Sequence, residues 1–145
     1  MAKISRISPQ EARTLIEEQG YTYLDVRTEA EFAAGHPAGA HNVPILLAGP
    51  KGMVPNPHFL EIVTALYPKD TKLVVGCMAG GRSLTAVEAM AAAGFTQVVD
   101  QRAGYKGLRD SFGAVTEAGW EGAGLPVEAM TPGGSYAELS RKAGK

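Results

Sequence analysis

The sequence predicts an α/β fold built on a mostly parallel sheet. Segments with helical periodicity alternate along the chain with short apolar segments rich in β-branched residues. That alternation is typical of parallel strands joined by crossover helices. The clearest pair is the nearly all-apolar run Lys72–Gly76 and the run of strong helix formers Ser83–Gly94. A strand buried on both faces and followed at once by a helix favours a parallel sheet.

Two capping boxes mark the first two helices. Ser8 and Glu11 stand at the start of the first, which Gly20 is placed to end. Thr28 and Glu31 form the same signature at the start of the second. Each box predicts the helix start to within a residue, because the two side chains satisfy backbone N–H groups that the helix itself leaves unbonded.

Extended segments surround the second helix. Aromatic and β-branched residues predict a strand over Tyr21–Val26, and a brief extended stretch over Gly39–Pro44. The segment Leu46–Pro57 is rich in Gly and Pro and predicts a loop. Apolar residues at helical spacing then predict a third helix over His58–Tyr67.

The C-terminal third of the chain gives weaker signals. A strand is predicted over Phe95–Asp100 and a short helix over Gly104–Gly113. From about Met130 the composition becomes polar, so we divide the chain into a domain of residues 1–130 and a polar tail of residues 131–145. One helical turn is predicted in that tail, over Tyr136–Arg141.

Composition narrows the function classes. The 145 residues suit one domain, and 14 Lys and Arg against 15 Asp and Glu give a net charge of -1, which offers no attraction to nucleic acid or anionic membranes. One cysteine permits no internal disulfide. No apolar run has the length of a signal peptide or a membrane span. We therefore expect a cytoplasmic protein with neither nucleic acid nor membrane as a partner.

The single cysteine, Cys77, follows the predicted central strand and precedes a helix. The loop brings backbone N–H groups, two glycines that tolerate positive φ, the charge of Arg82 and the hydroxyl of Ser83. A helix N-terminus adds positive potential at the same place. These features suit a nucleophile that attacks an anion, although a free cysteine is also a common core residue. The predicted substrate-binding residues are Met78, Ala79, Gly80, Gly81, Arg82 and Ser83.

Three segments resemble the single-domain rhodaneses. "LDVRTEAEFAAGHPAGAHNVP" (Leu24–Pro44) is similar to the N-terminal signature of that family, "CMAGGRS" (Cys77–Ser83) to its active loop, and "GLPVE" (Gly124–Glu128) to the end of its domain. They occur in the expected order over most of the chain. The segment Gly104–Trp120 is longer than in most members, and we expect it to shape the entrance of the site.

The resemblance implies a fold, an activity and a site. The fold is a three-layer arrangement with a five-stranded, mostly parallel sheet and helices on both faces. The activity is a sulfurtransferase reaction, in which a sulfane sulfur from a small anionic donor such as thiosulfate, or from a persulfide, passes through a persulfide on Cys77 to a thiol, a protein acceptor or cyanide. From their place at the end of a predicted strand, we expect Asp25 and Arg27 to support the site as structural hydrogen-bonding partners rather than as catalysts, with Arg27 adding positive charge near it. Neither a metal nor an organic cofactor is expected, since the three histidines lack the spacing of a zinc site.

Two other functions remain open on the sequence. One is a persulfide carrier or a non-catalytic protein-binding module with the same fold. The other is phosphatase or arsenate reductase chemistry, which also places a cysteine and an arginine around an oxyanion. Enzymes of that second class have five residues between the cysteine and the arginine, whereas four separate Cys77 from Arg82. The shorter loop favours a cradle for one sulfur atom over one for a tetrahedral phosphate.

Overall fold

The computed structural model describes residues 4–79 and 81–144. The helices are α1 (Pro9–Gln19), α2 (Glu29–Ala34), α3 (Phe59–Leu66), α4 (Gly81–Ala92) and α5 (Tyr136–Lys142). The strands are β1 (Arg6–Ile7), β2 (Thr22–Asp25), β3 (His36–Pro37), β4 (His41–Asn42), β5 (Leu46–Gly49), β6 (Gly52–Pro55), β7 (Leu73–Gly76), β8 (Val98–Gln101), β9 (Leu108–Arg109), β10 (Val115–Glu117) and β11 (Val127–Glu128).

The central sheet has five strands in the order β1-β8-β7-β2-β4, and every neighbouring pair is parallel. The middle strand, β7, is buried along its whole length, as its apolar run predicts. The α/β fold with a parallel five-stranded sheet is therefore confirmed. The edge strand β1 was not predicted, because two residues carry no readable periodicity and its pairing with β8 joins distant parts of the chain.

Helices cover both faces of this sheet, which gives three layers. Successive strand residues point to opposite faces, so Tyr23 and Val74 enter one apolar core while Leu24 and Val75 enter the other. The first core lies under α1 and α2, and the second lies under α3, α4 and α5. This layering places the loop between β7 and α4 at the carboxyl edge of the sheet, where ligands bind in folds of this kind.

Both predicted capping boxes are present. The Ser8 hydroxyl accepts from the backbone N–H of Glu11, and the Glu11 carboxylate accepts from the N–H of Ser8. Thr28 and Glu31 make the same two bonds at the start of α2. Gly20 takes the left-handed conformation after α1, with φ of 74°.

Two predictions of local structure are wrong. The segment Leu46–Pro57, predicted as a loop, contains the antiparallel hairpin of β5 and β6. The segment Gly104–Gly113, predicted as a short helix, contains turns and the first strand of the β9–β10 hairpin. The physical reason in the second case is that Gly104 and Gly107 both have positive φ, which interrupts a right-handed helix.

The C-terminal residues are polar in composition but pack on the domain. Helix α5 places Leu139 in the core beside α3, with 3% of its surface exposed. The carbonyl of Gly134 accepts from the N–H of Asn42, and the Thr131 hydroxyl lies 2.8 Å from Nε2 of buried His36. The segment that the composition assigns to a polar tail thus contains a short helix at the position of the predicted helical turn, and that helix packs on the domain.

Among the described residues, no helix is long and apolar enough to cross a membrane.

Candidate active site

Cys77 is the first residue beyond β7, and its side chain is 2% exposed. Met78 is half-buried and Ala79 exposed, and α4 begins at Gly81. Gly81 is helical and its φ is not positive, so the tolerance of glycine for positive φ is not used at this position. The loop therefore runs directly into a helix N-terminus, where the first-turn N–H groups find no carbonyl within the helix and the dipole favours negative charge.

A second segment, residues 103–106, hydrogen-bonds the backbone of the loop. The N–H of Tyr105 donates to the carbonyl of Cys77 at 2.8 Å, and the N–H of Lys106 donates to the carbonyl of Met78 at 3.0 Å. Gly104 makes this approach feasible, because a Cβ there would lie 2.5 Å from the Met78 carbonyl oxygen and 2.6 Å from that of Cys77. Its φ of 68° also belongs to glycine. We call residues 103–106 the clamp.

A polar chain lies on the inner side of Cys77. The Cys77 sulfur is 3.5 Å from Oγ of Ser83, which is 2.5 Å from Oδ1 of Asp100. The other carboxylate oxygen of Asp100 accepts from Nε of Arg6 at 2.7 Å. Ser83 and Asp100 are fully buried, while the side chain of Arg6 is 42% exposed. Three side chains, those of Ser83, Asp100 and Arg6, thus connect the cysteine to the molecular surface.

Arg82 forms a bidentate ion pair with Glu31 of α2. Its two terminal nitrogens lie 2.8 Å and 3.0 Å from the two carboxylate oxygens. Although partial burial raises the pKa of Glu31, the hydrogen bonds from Arg82 and from the Thr28 N–H outweigh it and lower that pKa to about 2. The hydrogen bond to Glu31 likewise raises the pKa of Arg82. The Arg82–Glu31 ion pair therefore links α4 to α2 near the cysteine loop.

Asp25 and Arg27 form a buried pair at the carboxyl end of β2. Nη2 of Arg27 lies 2.7 Å from Asp25 Oδ2 and 2.7 Å from the carbonyl oxygen of Gly35. Burial raises the pKa of the Asp25 carboxyl, and the hydrogen bonds from Arg27 oppose that effect. The Arg27 guanidinium also lies 4.4 Å from the centre of the Tyr105 ring, and the side-chain amide of Asn42 donates to the backbone carbonyls of Asp25 and Arg27. The pair thereby joins β2 to the clamp.

A cavity of about 150 Å³ opens beside the loop. It is lined by Arg27, Glu31, Ala34, Gly35, Met78, Tyr105, Lys106 and Glu121. Lys106 pairs with Glu121 at 2.6 Å, so the two cations that line the cavity are matched there by two carboxylates. A larger cavity of about 310 Å³ lies between α2 and the chain around Met130, and it touches none of the loop residues. We place the site at the smaller cavity because it borders the cysteine loop.

The predicted site residues fall in three groups. Cys77, Met78, Ser83 and Arg27 lie at the site as described above, and Asp25 supports it through Arg27. Arg82 does not line the cavity itself, but its guanidinium pairs with Glu31, which does. Ala79 is exposed in the loop, Gly81 is exposed as the first residue of α4, and the predicted residue Gly80 lies outside the described residues. Within the described ranges 4–79 and 81–144, no group of three or more His, Cys, Asp or Glu could hold a metal.

Sequence reasoning missed the supporting residues. Glu31 was read only as a helix cap, and Asp100 only as the end of a strand. A signal for Asp100 did exist, since it lies one residue before the end of β8, the strand next to β7, and polar residues at neighbouring carboxyl ends meet at one edge of a parallel sheet. Arg6 and Gly104 had no such signal, because their partners lie far away in the sequence.

The sequence profile described as "Rhodanese-like domain" matches residues 8–111, which is well over half of the chain. The chain belongs to the rhodanese-like domain family. Thiosulfate sulfurtransferase 16, chloroplastic, of Arabidopsis thaliana is 39% identical over 132 residues, which cover 89% of this chain and 100% of that protein. The family and this relative's name support a rhodanese-type sulfurtransferase.

Two further matches agree. Rhodanese-like domain-containing protein 15, chloroplastic, of Arabidopsis thaliana is 40% identical over 103 residues, which cover 71% of this chain and 57% of that longer protein. The crystal structure of Rv0390 from M. tuberculosis superposes with a TM-score of 0.72 at 26% identity, over 89% of this chain and 100% of that one. The expectation of a cytoplasmic protein is wrong by this comparison, because both Arabidopsis relatives are chloroplastic by name.

Proposed function

We propose that this protein is a sulfurtransferase that carries a sulfane sulfur on Cys77. The observation that supports this most directly is the position of the cysteine, between a buried parallel strand and a helix N-terminus, with its neighbour Met78 lining a cavity together with Arg27 and Lys106. Backbone dipoles and cations there favour the binding of a small anionic or persulfide donor against the sulfur.

The proposed reaction has two displacement steps. The Cys77 thiolate attacks the outer sulfur of thiosulfate, the donor S–S bond breaks, and sulfite leaves with the bonding electron pair. Cys77 then carries a persulfide. The thiolate of an acceptor attacks the terminal sulfur, and the Cys77 thiolate is released as the leaving group. The covalent intermediate divides the transfer into two steps, each of which needs only the cysteine and the loop around it.

The charges around the cavity affect which sulfur donor can bind. Glu31 engages the guanidinium of Arg82, and Glu121 pairs with Lys106, so the cations near the loop already have carboxylate partners. A dianion such as thiosulfate must compete with these carboxylates, whereas a persulfide of a small zwitterionic thiol can match both signs of charge. We therefore test both donors side by side.

The experiment is intact mass spectrometry of the protein after treatment with thiosulfate or with a small-thiol persulfide. We expect one added sulfur, about 32 Da, with at least one of the donors, and release of that sulfur when an acceptor thiol is added. Cys77→Ser should acquire no sulfur while it keeps the circular dichroism of the parent protein. An active Cys77→Ser variant, or a parent protein that acquires no sulfur from either donor, would overturn the proposal.

The number of turnovers per chain distinguishes a sulfurtransferase enzyme from a persulfide carrier. An enzyme transfers many sulfurs per chain, whereas a persulfide carrier loads once and waits for its partner. Hydrolysis of an aryl phosphate at a rate comparable with sulfur transfer, lost in Cys77→Ser, would indicate phosphatase chemistry instead. The Arg82–Glu31 ion pair disfavours that outcome, because a guanidinium already held by two hydrogen bonds to a carboxylate is not open to bind a phosphate in the same way.

A further inference from the structure

In the polar chain inward of Cys77, the chemistry of each side chain decides which group donates each hydrogen bond and which accepts it. Arg6 donates from Nε to Asp100 at 2.7 Å, which favours the ionised carboxylate. An ionised carboxylate only accepts hydrogen bonds. The short contact of 2.5 Å between Ser83 Oγ and Asp100 Oδ1 therefore uses the hydroxyl proton of Ser83.

Because Ser83 donates its proton to Asp100, its hydroxyl can only accept a hydrogen bond from Cys77. A serine hydroxyl has one proton, and here it points to the carboxylate. Toward Cys77, at 3.5 Å, the oxygen presents a lone pair, which can accept from an S–H group but cannot donate to a thiolate. The negative charge on Asp100 acts in the same sense, since like charges disfavour each other.

We propose that Asp100 is a positioning residue that, through Ser83, holds Cys77 in the protonated thiol form and so restrains the nucleophile. Arg6 limits this restraint because it neutralises part of the charge on Asp100. The inference concerns the ionisation of the cysteine, and its relevance to sulfur transfer rests on the proposed function. If Asp100 restrains the cysteine, removal of its charge makes the thiolate easier to form. If Asp100 instead acted as a general base that takes the thiol proton, its removal would make the thiolate harder to form.

Other charged and titratable groups surround the cysteine. Tyr23 of β2 and Arg82 of α4 interact electrostatically with Cys77, and Asp25 of β2 interacts with both of them. Lys106 lies on the clamp, whose backbone bonds the loop. None of these groups changes in the variants proposed below, so their contributions to the cysteine are common to all of them.

The test is a pH titration of the thiolate by its ultraviolet absorbance. Cys77 is the only cysteine, so subtraction of the signal of Cys77→Ser isolates its ionisation without any need for a reagent to reach it. We expect Asp100→Asn, which keeps the shape of the side chain, to lower the midpoint by about one pH unit, or about tenfold in thiolate fraction below the midpoint. Arg6→Gln should raise the midpoint, because it leaves the carboxylate charge without its partner.

Two controls separate this effect from general damage. Asp70→Asn removes an exposed carboxylate before the opposite end of β7 and should leave the midpoint unchanged. In a Ser83→Ala background, Asp100→Asn should shift the midpoint by less than half as much, since the hydroxyl that transmits part of the effect is absent.

The outcomes are distinct from those of the sulfur-loading experiment, because the titration requires no donor. A midpoint that rises in Asp100→Asn, or that moves in the same direction in Asp100→Asn and Arg6→Gln, would overturn the restraint. An undiminished shift in the Ser83→Ala background would also overturn it as stated. Failure to load sulfur in the parent protein would instead contradict the proposed function and leave the titration result standing.

Discussion

Gly104 carries the sharpest structural prediction, because the loop that holds Cys77 lies directly against it. Substitution by Ala places a Cβ 2.5 Å from the carbonyl oxygen of Met78 and 2.6 Å from that of Cys77. Both contacts are with backbone, which cannot rotate away as a flexible side chain would. The loop or the clamp must therefore move.

The cost has two parts. A non-glycine residue at a φ of 68° costs about 1 kcal/mol. Forcing an extra methyl group into a close-packed contact adds about 1–3 kcal/mol. We therefore expect Gly104→Ala to lower the free energy of unfolding by about 2–4 kcal/mol, and to weaken the hydrogen bonds that Tyr105 and Lys106 make to the loop.

Gly113 is a matched control in the same part of the chain. It has a φ of 83°, and a Cβ there would meet nothing within 4 Å. Gly113→Ala therefore reports the conformational cost alone, about 1 kcal/mol. Urea unfolding of both variants gives the two free energies, and sulfur loading followed by intact mass gives the functional effect.

The two variants should differ in function as well as in stability. We expect Gly104→Ala to load sulfur at least about tenfold more slowly, equivalent to about 1.4 kcal/mol, while Gly113→Ala loads at the parent rate. Equal losses of unfolding free energy in the two variants, together with an unchanged loading rate in Gly104→Ala, would show that the clamp does not set the loop.

Two further predictions concern what holds the site and the fold. The hydrogen bonds to Glu31 lower its folded-state pKa from the ordinary 4.5 to about 2, so the stability that the Glu31–Arg82 pair contributes is present above about pH 4.5 and is lost as the pH falls toward 2. Glu31→Gln should therefore cost about 1–2 kcal/mol at pH 7, after a discount for partial exposure, and almost nothing near pH 2; urea unfolding at both values tests this, and a cost independent of pH would contradict it. Leu139→Ala should cost about 2–4 kcal/mol in the same assay, because the side chain is buried in the core, whereas Phe112→Ala, at a position 93% exposed, should stay within about 0.5 kcal/mol. Equal costs for Leu139→Ala and Phe112→Ala would show that α5 is not part of the stable fold.

The accuracy of the sequence predictions follows the range of the interactions involved. The caps of α1 and α2 were predicted to the residue, because each box is a contact over three positions. The parallel order of the strands followed from the alternation of elements and from the resemblance to known proteins. Cys77 could be identified because the features that favour a nucleophile surround it within six residues.

Long-range contacts explain what the sequence did not reveal. Gly104 looked like part of a short helix because nothing near it in the sequence indicates that the loop carbonyls lie against it. The partner of Asp100 on α4 is 17 residues away and its partner on β1 is 94 residues away. The burial of Leu139 has no signal in the polar segment around it, since the core that receives it comes from other elements.

Strand β8 links these unpredicted features, because its last two residues act on opposite sides of the cysteine. Successive residues of a strand point to opposite faces. Asp100 points toward α4, where it bonds Ser83. Gln101 points the other way: its Oε1 accepts from the N–H groups of Ala103 and Gly104, and its Nε2 donates to the Gly104 carbonyl at 2.8 Å. One residue thereby orients the hydroxyl beneath the sulfur, and the next fixes the clamp above the loop. The ionisation and the position of Cys77 thus depend on a strand that contributes no atom to the cavity wall, which is why both properties can be altered by substitutions that leave every cavity-lining residue in place.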